Sequence, residues 1–166
     1  MSDITIRRAT ADDSRRLTRL VRGSRAYRGD YAAMVEGYQV GGSYIEHHPV
    51  FVAVDGGEGG SGSGKVLGFY ALLVDGAGAG AGAGTGGEAE LDLAFVADEA
   101  QGLGIGRLLM EHMAGQARAA GVGSVKVVAH PPAEEFYLRT GAVRTGTVPP
   151  SGHVHWERPE LRYDVA

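Results

Sequence analysis

The sequence predicts a single domain of the α/β class, of the mixed-sheet α+β kind. Short apolar segments with the period-two alternation of strands take turns along the chain with amphipathic segments of helical period. The chain has 166 residues, of which 43% are hydrophobic and 22% charged, and this suits one domain with one core. We therefore expect one domain over residues 1–166 with about four helices.

The chain is expected to begin with a strand and then a helix. Residues 4–7 alternate apolar and polar side chains, as a half-buried strand does. Thr10 or Asp12 can cap the helix that follows, because their side-chain oxygens accept hydrogen bonds from unpaired backbone N–H groups. The helix presents one apolar face, formed by Leu17, Leu20 and Val21.

One more helix and two strands are expected before residue 75. An amphipathic, aromatic segment over 31–40 predicts a second helix, which the glycine pair Gly41-Gly42 would end. Compact apolar segments over 49–54 and 65–74 predict strands.

Glycine is concentrated in one region. The chain has 28 glycines, and 14 of them lie in 56–87. Two tracts, at 55–64 and 75–88, have the composition of flexible linkers, and side chains that could offset their ordering entropy are missing. We expect flexible loops at strand turns, inserted into the domain without dividing it.

The second half predicts four strands and two helices. The strands are expected over 88–96, 124–129, 142–148 and 160–165. A long helix follows the first of these strands and ends at Gly121, and a short helix over 131–140 has proline in its first turn. One face of the long helix is expected to comprise Ile105, Leu108, Leu109, His112, Met113, Gln116 and Ala120.

Composition excludes several classes of protein. The absence of cysteine excludes disulfides, thiolate metal sites and a cysteine nucleophile. The net charge of −4 gives no reason to expect nucleic acid, and we interpret the arginines of the first helix as a solvated face. Without an apolar signal segment or membrane span, a cytoplasmic protein is expected. The histidines lack a matching carboxylate arrangement, so no metal site is predicted.

A glycine-rich turn precedes the long helix. In Gln101-Gly102-Leu103-Gly104-Ile105-Gly106, the chain passes from a predicted strand to a helix N-terminus, where free N–H groups and the helix dipole favour a phosphate. A dinucleotide fingerprint would need glycine in place of Arg107, and a Walker A loop would need Lys and then Ser or Thr after Gly106. Both alternatives fail.

The pattern Gln-x-x-Gly-x-Gly, here Gln101, Gly104 and Gly106, resembles the pyrophosphate-binding motif of the GCN5-related N-acetyltransferase (GNAT) superfamily. The order of predicted strands and helices also resembles that of the family over nearly the whole chain. A second segment, at 133–142, resembles the family's Ala-x-x-Phe-Tyr-x-x-x-Gly-Phe. Two positions depart from the family: Ala142 replaces a bulky residue, and His130 stands where asparagine is frequent. The resemblance implies the GNAT fold, with a V-shaped splay at the centre of the sheet.

The resemblance also implies a cofactor, acetyl-CoA, and the residues that bind it. Main-chain N–H groups of the glycine turn would hold the pyrophosphate, the main chain at Phe95 and Val96 would pair with the pantetheine arm, and a backbone N–H there would bind the thioester oxygen. The residues expected to contact the cofactor are Phe95, Val96, Gln101, Gly102, Leu103, Gly104, Ile105, Gly106, Arg107, His130 and Tyr137.

The reaction that the resemblance implies is direct transfer of acetyl to a primary amine, which needs an acid and a base. Tyr137 matches the motif tyrosine and is the expected general acid, and packing against the cofactor is the alternative. Glu90 and Asp92, two residues apart on one strand face, are the candidates for the base or for attracting a cationic amine. His130 is another candidate base.

The acceptor is expected to be a small molecule, such as an antibiotic or an amine metabolite, or a peptide. Tyr27, Tyr31, Glu36 and Tyr38 are candidates for lining its site, although helix packing explains them equally well. The Gly-, Ala- and Arg-rich composition suggests a bacterial source. Dimers are common in the superfamily, so a homodimer is an open alternative. The competing function is a catalytically silent acyl-CoA-binding or regulatory module.

Overall fold

The computed structural model describes residues 4–24, 39–56, 64–74, 87–152 and 154–165. Within them, seven strands form one mixed sheet in the order β1-β2-β3-β4-β5-β7-β6. The strands are β1 (Ile4–Arg8), β2 (Val50–Asp55), β3 (Val66–Leu73), β4 (Gly87–Val96), β5 (Val122–Val128), β6 (Val143–Val148) and β7 (Arg158–Asp164). The helices are α1 (Ser14–Arg22), α2 (Gly42–His47), α3 (Ile105–Ala119) and α4 (Glu134–Arg139). The predicted mixed-sheet fold is confirmed.

The sheet contains antiparallel and parallel strand pairs. β1 pairs with β2, β2 with β3, β5 with β7 and β6 with β7, all antiparallel. β4 and β5 are parallel, and their register runs from Gly87 opposite Val122 to Leu91 opposite Val127. β4 then continues to Val96, so its last five residues extend beyond the pairing with β5. The V-shaped splay itself stays a prediction.

Contacts divide the chain into two compact units. The first comprises the described residues of 1–71 and 93–112, and the second those of 72–92 and 113–166. The prediction of a single domain stays a prediction.

The core of the first unit lies between α1, α2 and one face of its strands. Leu17 and Val21 of α1 and Ile45 of α2 are buried together with residues of β2 and β3, and Leu20 packs partly against them. The predicted apolar face of α1 is confirmed. A short 3-10 turn at Ala11–Asp13 precedes α1, and the Thr10 N–H donates to Asp13 Oδ2 (2.9 Å). Arg7 donates two hydrogen bonds to the same carboxylate and lowers its pKa.

The helix predicted over 31–40 was wrong at its C-terminal end. Gln39 and Val40 are not helical, and Gly42 begins α2 although the glycine pair was expected to end a helix. The physical reason is that side chains of α1 bind the main chain of Val40. Thr18 Oγ1 accepts from the Val40 N–H (2.9 Å), and Ser14 Oγ donates to its carbonyl (2.5 Å). The rest of the predicted helix, and most of both glycine tracts, lie outside the described residues.

In the second unit, strand alternation is regular. Ala89 and Leu91 of β4, Val125 and Val127 of β5, and Leu161 and Tyr163 of β7 are buried, and polar side chains alternate with them. The short helix predicted over 131–140 is a 3-10 turn at Pro131–Ala133 followed by α4.

Candidate cofactor and catalytic site

The glycine-rich turn leads from the end of β4 into α3. After β4, the chain forms a 3-10 turn at Asp98–Ala100 and then the exposed turn 101–104, in which Leu103 is 63% exposed. Gly102 and Gly104 have φ angles of +83° and +81°. An added Cβ would meet nothing within 4 Å at either glycine, so glycine is needed for its backbone conformation and not for space.

The N-terminus of α3 offers hydrogen-bond donors to an anion. The Leu108 N–H bonds to the Gly104 carbonyl (3.1 Å), the helical i to i−4 bond. The N–H groups of Ile105, Gly106 and Arg107 come before that bond in the helix, at the positive end of the helix dipole. This exposed, side-chain-poor turn therefore fits a phosphate group.

Gln101 fixes the turn to the strand. Its side-chain Nε2 donates to the carbonyl of Val96 (3.0 Å), and its own N–H donates to the Asp98 carbonyl (3.3 Å). The Leu103 N–H also donates within the turn, to the Ala100 carbonyl (3.4 Å). The main-chain donors that remain as candidates for binding a phosphate are those of Gly102 and of residues 104–107.

At the end of β4, the side chain of Phe95 is packed in the core and its main chain faces β3. The Phe95 ring is buried and stacks on Phe69 with centroids 5.8 Å apart. The Ala97 N–H donates to the carbonyl of Leu67 in β3 (2.8 Å). Because N–H groups of successive strand residues point to opposite edges, the Val96 N–H points to the edge of β4 away from β3. Val96 is therefore the candidate donor for an oxyanion.

In the second unit, Tyr137 and His130 are both buried. Tyr137 lies on α4, is 7% exposed, and has the ring of Tyr163 edge-on at a centroid distance of 6.5 Å. His130 directly precedes the turn into α4 and is 5% exposed, and its carbonyl accepts from the Ala133 N–H (2.8 Å). Both residues are held by packed surroundings.

The candidate carboxylates occupy one face of β4. Glu90 stands opposite Lys126 in the parallel register with β5, and Asp92 is exposed. Glu88, on the same face, is already engaged, because Arg162 Nε donates to its Oε2 (3.1 Å). Glu90 and Asp92 stay the predicted candidates on this strand.

The predicted acceptor residues Tyr27, Tyr31, Glu36 and Tyr38 all lie outside the described residues. Arg107 is exposed in the first turn of α3. Among the described residues, no group of three or more His, Cys, Asp or Glu side chains is placed to hold a metal ion. No described helix is long and apolar enough to cross a membrane.

Three features of the structure had no signal in the sequence. The first unit contains a cleft of about 390 Å³ whose charged lining residues include Arg16, Arg19 and Lys65, and Lys65 is paired with Glu99 (2.7 Å). The other two are a hydrogen bond between Tyr70 and His112 and another between Thr140 and Tyr163. Each joins residues at least 23 positions apart, and local spacing carries no information about such pairs.

Solved acetyltransferases share this fold. A GCN5-related N-acetyltransferase from Rhodopseudomonas palustris superposes with a TM-score of 0.74 at 17% identity, covering 99% of this chain and 97% of that one. The protein yncA from Salmonella typhimurium, solved with its cofactor acetyl-CoA, gives 0.68 at 18% identity, covering 99% and 95%. An aminoglycoside 6′-N-acetyltransferase complexed with coenzyme A gives 0.69 at 14% identity, covering 98% and 97%.

Sequence comparison assigns the family. The model of the acetyltransferase (GNAT) domain matches residues 65–154, more than half of the chain. This protein belongs to the GNAT acetyltransferase family. No curated protein sequence matches it significantly.

Proposed function

We propose that the protein is an N-acetyltransferase that moves an acetyl group from acetyl-CoA directly to a primary amine. The observation that carries this proposal is the exposed turn 101–104, in which two glycines with positive φ bring the chain to the free N–H groups of α3. Family membership and the coenzyme A seen in similar folds support the same cofactor.

The first unit would bind and orient the cofactor. The N–H groups of Gly102 and of residues 104–107 would hold the pyrophosphate, and Arg107 would add positive charge. The Val96 N–H, at the edge of β4 that extends beyond the register with β5, would donate to the thioester oxygen. Bound acetyl-CoA supplies the acetyl group as an activated thioester.

Residues of the second unit would act as the general base and the general acid. Glu90 or Asp92 would attract the ammonium form of the acceptor and take up its proton, directly or through water, and His130 is the alternative base. As the carbon–nitrogen bond forms and the carbon–sulfur bond breaks, Tyr137 would give its phenolic proton to the sulfur and recover a proton from water. A phenol is suited to this step because its ordinary pKa is about 10.

The acceptor would be a small-molecule amine, such as an antibiotic, or a peptide. One similar fold acts on an aminoglycoside, but at 14% identity this is only a reason to include aminoglycosides in a test. We further propose that the enzyme is cytoplasmic and bacterial and that it uses neither a metal nor a nucleic-acid partner. It would be a monomer or a homodimer.

The test is a panel of aminoglycosides, polyamines, amino acids and peptides, assayed for release of coenzyme A by wild type and by Tyr137→Phe. We expect at least one amine to be acetylated, and the variant to lose about 10²-fold or more in kcat while it still binds acetyl-CoA. Binding of acetyl-CoA without release by any amine would favour the silent module instead.

The matched control is Tyr70→Phe, which removes the hydroxyl of a buried tyrosine outside the proposed machinery. Tyr70 is fully buried in β3, and its hydroxyl bonds to Nδ1 of His112 (2.8 Å). Burial raises the pKa of Tyr70 and lowers that of His112. This variant should lose stability and keep its kcat.

A further inference from the structure

A chain of hydroxyl groups connects the end of α4 to β7. Thr140 follows the last residue of α4, and its Oγ1 donates to the carbonyls of Phe136 and Tyr137, each at 3.1 Å. The same oxygen lies 2.6 Å from the hydroxyl of Tyr163. These contacts join the last turn of the helix that carries Tyr137 to a strand of the sheet.

The number of available protons determines which hydroxyl donates each of these hydrogen bonds. A threonine hydroxyl has one proton, which Thr140 shares between the two helix carbonyls. With that proton on the helix carbonyls, Tyr163 donates its bond to Thr140. Burial raises the pKa of Tyr163 to about 12, so the donor keeps its proton throughout the neutral range.

The sheet holds Tyr163, the residue at which this series of hydrogen bonds begins. Tyr163 lies in β7, opposite Val125 of β5, and β7 is paired on its other side with β6. The ring of Tyr163 meets the ring of Tyr137 at 78°, with centroids 6.5 Å apart, the edge-to-face arrangement that aromatic pairs favour. Both rings are buried, at 6% and 7% exposure.

Tyr163 therefore contacts the Tyr137 residue in two ways. Its ring packs against the Tyr137 ring, and its hydroxyl acts through Thr140 on the Tyr137 carbonyl. The Ala142 N–H also donates to this carbonyl (3.0 Å), so the main chain at Tyr137 is fixed from two sides.

We propose that Thr140 and Tyr163 are positioning residues that hold Tyr137 in the orientation needed for proton transfer to the leaving sulfur. This inference rests on the proposed function of Tyr137. Neither residue exchanges a proton in the reaction: Tyr137 loses its O–H bond as the S–H bond forms, and water restores the proton. Positioning matters here because small displacements of a reacting group cost large factors in rate.

The experiment compares three single variants in the full-length protein with the best amine of the panel. Thr140→Val removes the hydroxyl at nearly constant volume, Thr140→Ser keeps it, and Tyr163→Phe removes the donor but keeps the ring. We expect Thr140→Val and Tyr163→Phe to lower kcat about tenfold with the KM for acetyl-CoA within about twofold of wild type. Thr140→Ser should restore wild-type kcat.

A double variant tests whether the effect passes through Tyr137. If Thr140 acts on Tyr137, adding Thr140→Val to Tyr137→Phe should cause no further loss of kcat. A further tenfold loss in the double variant would overturn the proposal, and so would equal kcat values for Thr140→Val and Thr140→Ser. A lower melting temperature with unchanged kcat would show a merely structural bond and would also overturn it.

Failure of the proposed function gives a different result. Full activity of Tyr137→Phe would remove the general acid, and the positioning role would fall with it. An impaired Tyr137→Phe beside normal Thr140→Val and Tyr163→Phe variants would overturn the positioning role alone.

Discussion

Gly102 and Gly104 show how a single residue type determines the candidate cofactor turn. Their φ angles of +83° and +81° lie in the left-handed region, which side chains with a Cβ rarely adopt. Open space around both positions means that an alanine would be disfavoured by its backbone conformation alone. The sequence pattern predicted a phosphate-binding turn here, and the structure adds this conformational reason for its glycines.

At the residue scale, we predict that Gly104→Ala destabilises the protein by about 1–2 kcal/mol because of its strained φ. The strain would also reorient the N–H groups that are proposed to hold the pyrophosphate. Loss of one hydrogen bond to a charged group would weaken acetyl-CoA binding about tenfold. Urea unfolding and calorimetric titration measure the two effects.

Gly121→Ala is the matched control, since Gly121 has a φ of +84° and also has open space around it. It should lose similar stability and keep its affinity for acetyl-CoA. Equal losses of affinity in both variants would show that backbone strain, and not the N–H groups of the glycine turn, controls acetyl-CoA binding.

At the scale of the element, α3 illustrates which part of a helical pattern is predictable. Ile105, Leu109, Met113 and Ala117 are buried at a spacing of four residues. The first three belong to the predicted helix face, but Leu108 of the same face is 40% exposed and Ala120 is exposed. The period of apolar residues locates a stripe, but its width depends on what packs against the helix.

We predict opposite effects for one substitution in two elements. Gly115→Ala in α3 should stabilise the protein by about 0.5–1 kcal/mol, because alanine is the better helix former and nothing lies within 4 Å of the new Cβ. Gly68→Ala in β3 should destabilise it by about 1–3 kcal/mol, because the Cβ would lie 2.8 Å from the Phe95 carbonyl oxygen and 3.2 Å from Leu109 Cδ1. Chemical denaturation of both variants measures the sign, and a stable Gly68→Ala would contradict the close packing of β3.

At the scale of the whole molecule, the two glycine tracts lie between neighbouring strands of the sheet. β2 ends at Asp55 and β3 begins at Val66, and β3 ends at Leu73 and β4 begins at Gly87. The strands on either side of each tract are adjacent in the sheet, as the prediction of loops at strand turns requires.

We predict that deletion of residues 77–84 leaves acetyl-CoA affinity and amine acetylation unchanged. Stability should rise by up to about 1 kcal/mol, because the entropy of loop closure falls only logarithmically with length. Thermal unfolding, calorimetry and the amine assay test this. Retained cofactor binding with lost acetylation would mean that the tract covers the acceptor, contrary to its interpretation as tolerated padding.

Local patterns accounted for most of the elements and for part of the site. Alternation located the strands to within about two residues, and the turn 101–104 and Tyr137 were identified from motifs. The start of α2 at Gly42 could not be predicted, because Thr18 and Ser14, over 20 positions earlier, bind the main chain at Val40.

The sequence by itself determined the mixed-sheet fold, the GNAT family and the glycine turn, because period, turn chemistry and motif spacing are local properties of the chain. Only the tertiary structure decided which donors remain for a ligand and what holds Tyr137. The Val96 N–H points away from β3 because Ala97 is bonded to Leu67, and Tyr163 meets Thr140 because β7 returns beside α4. Such contacts join residues far apart in the chain, and the sheet that brings them together forms only when the whole chain folds.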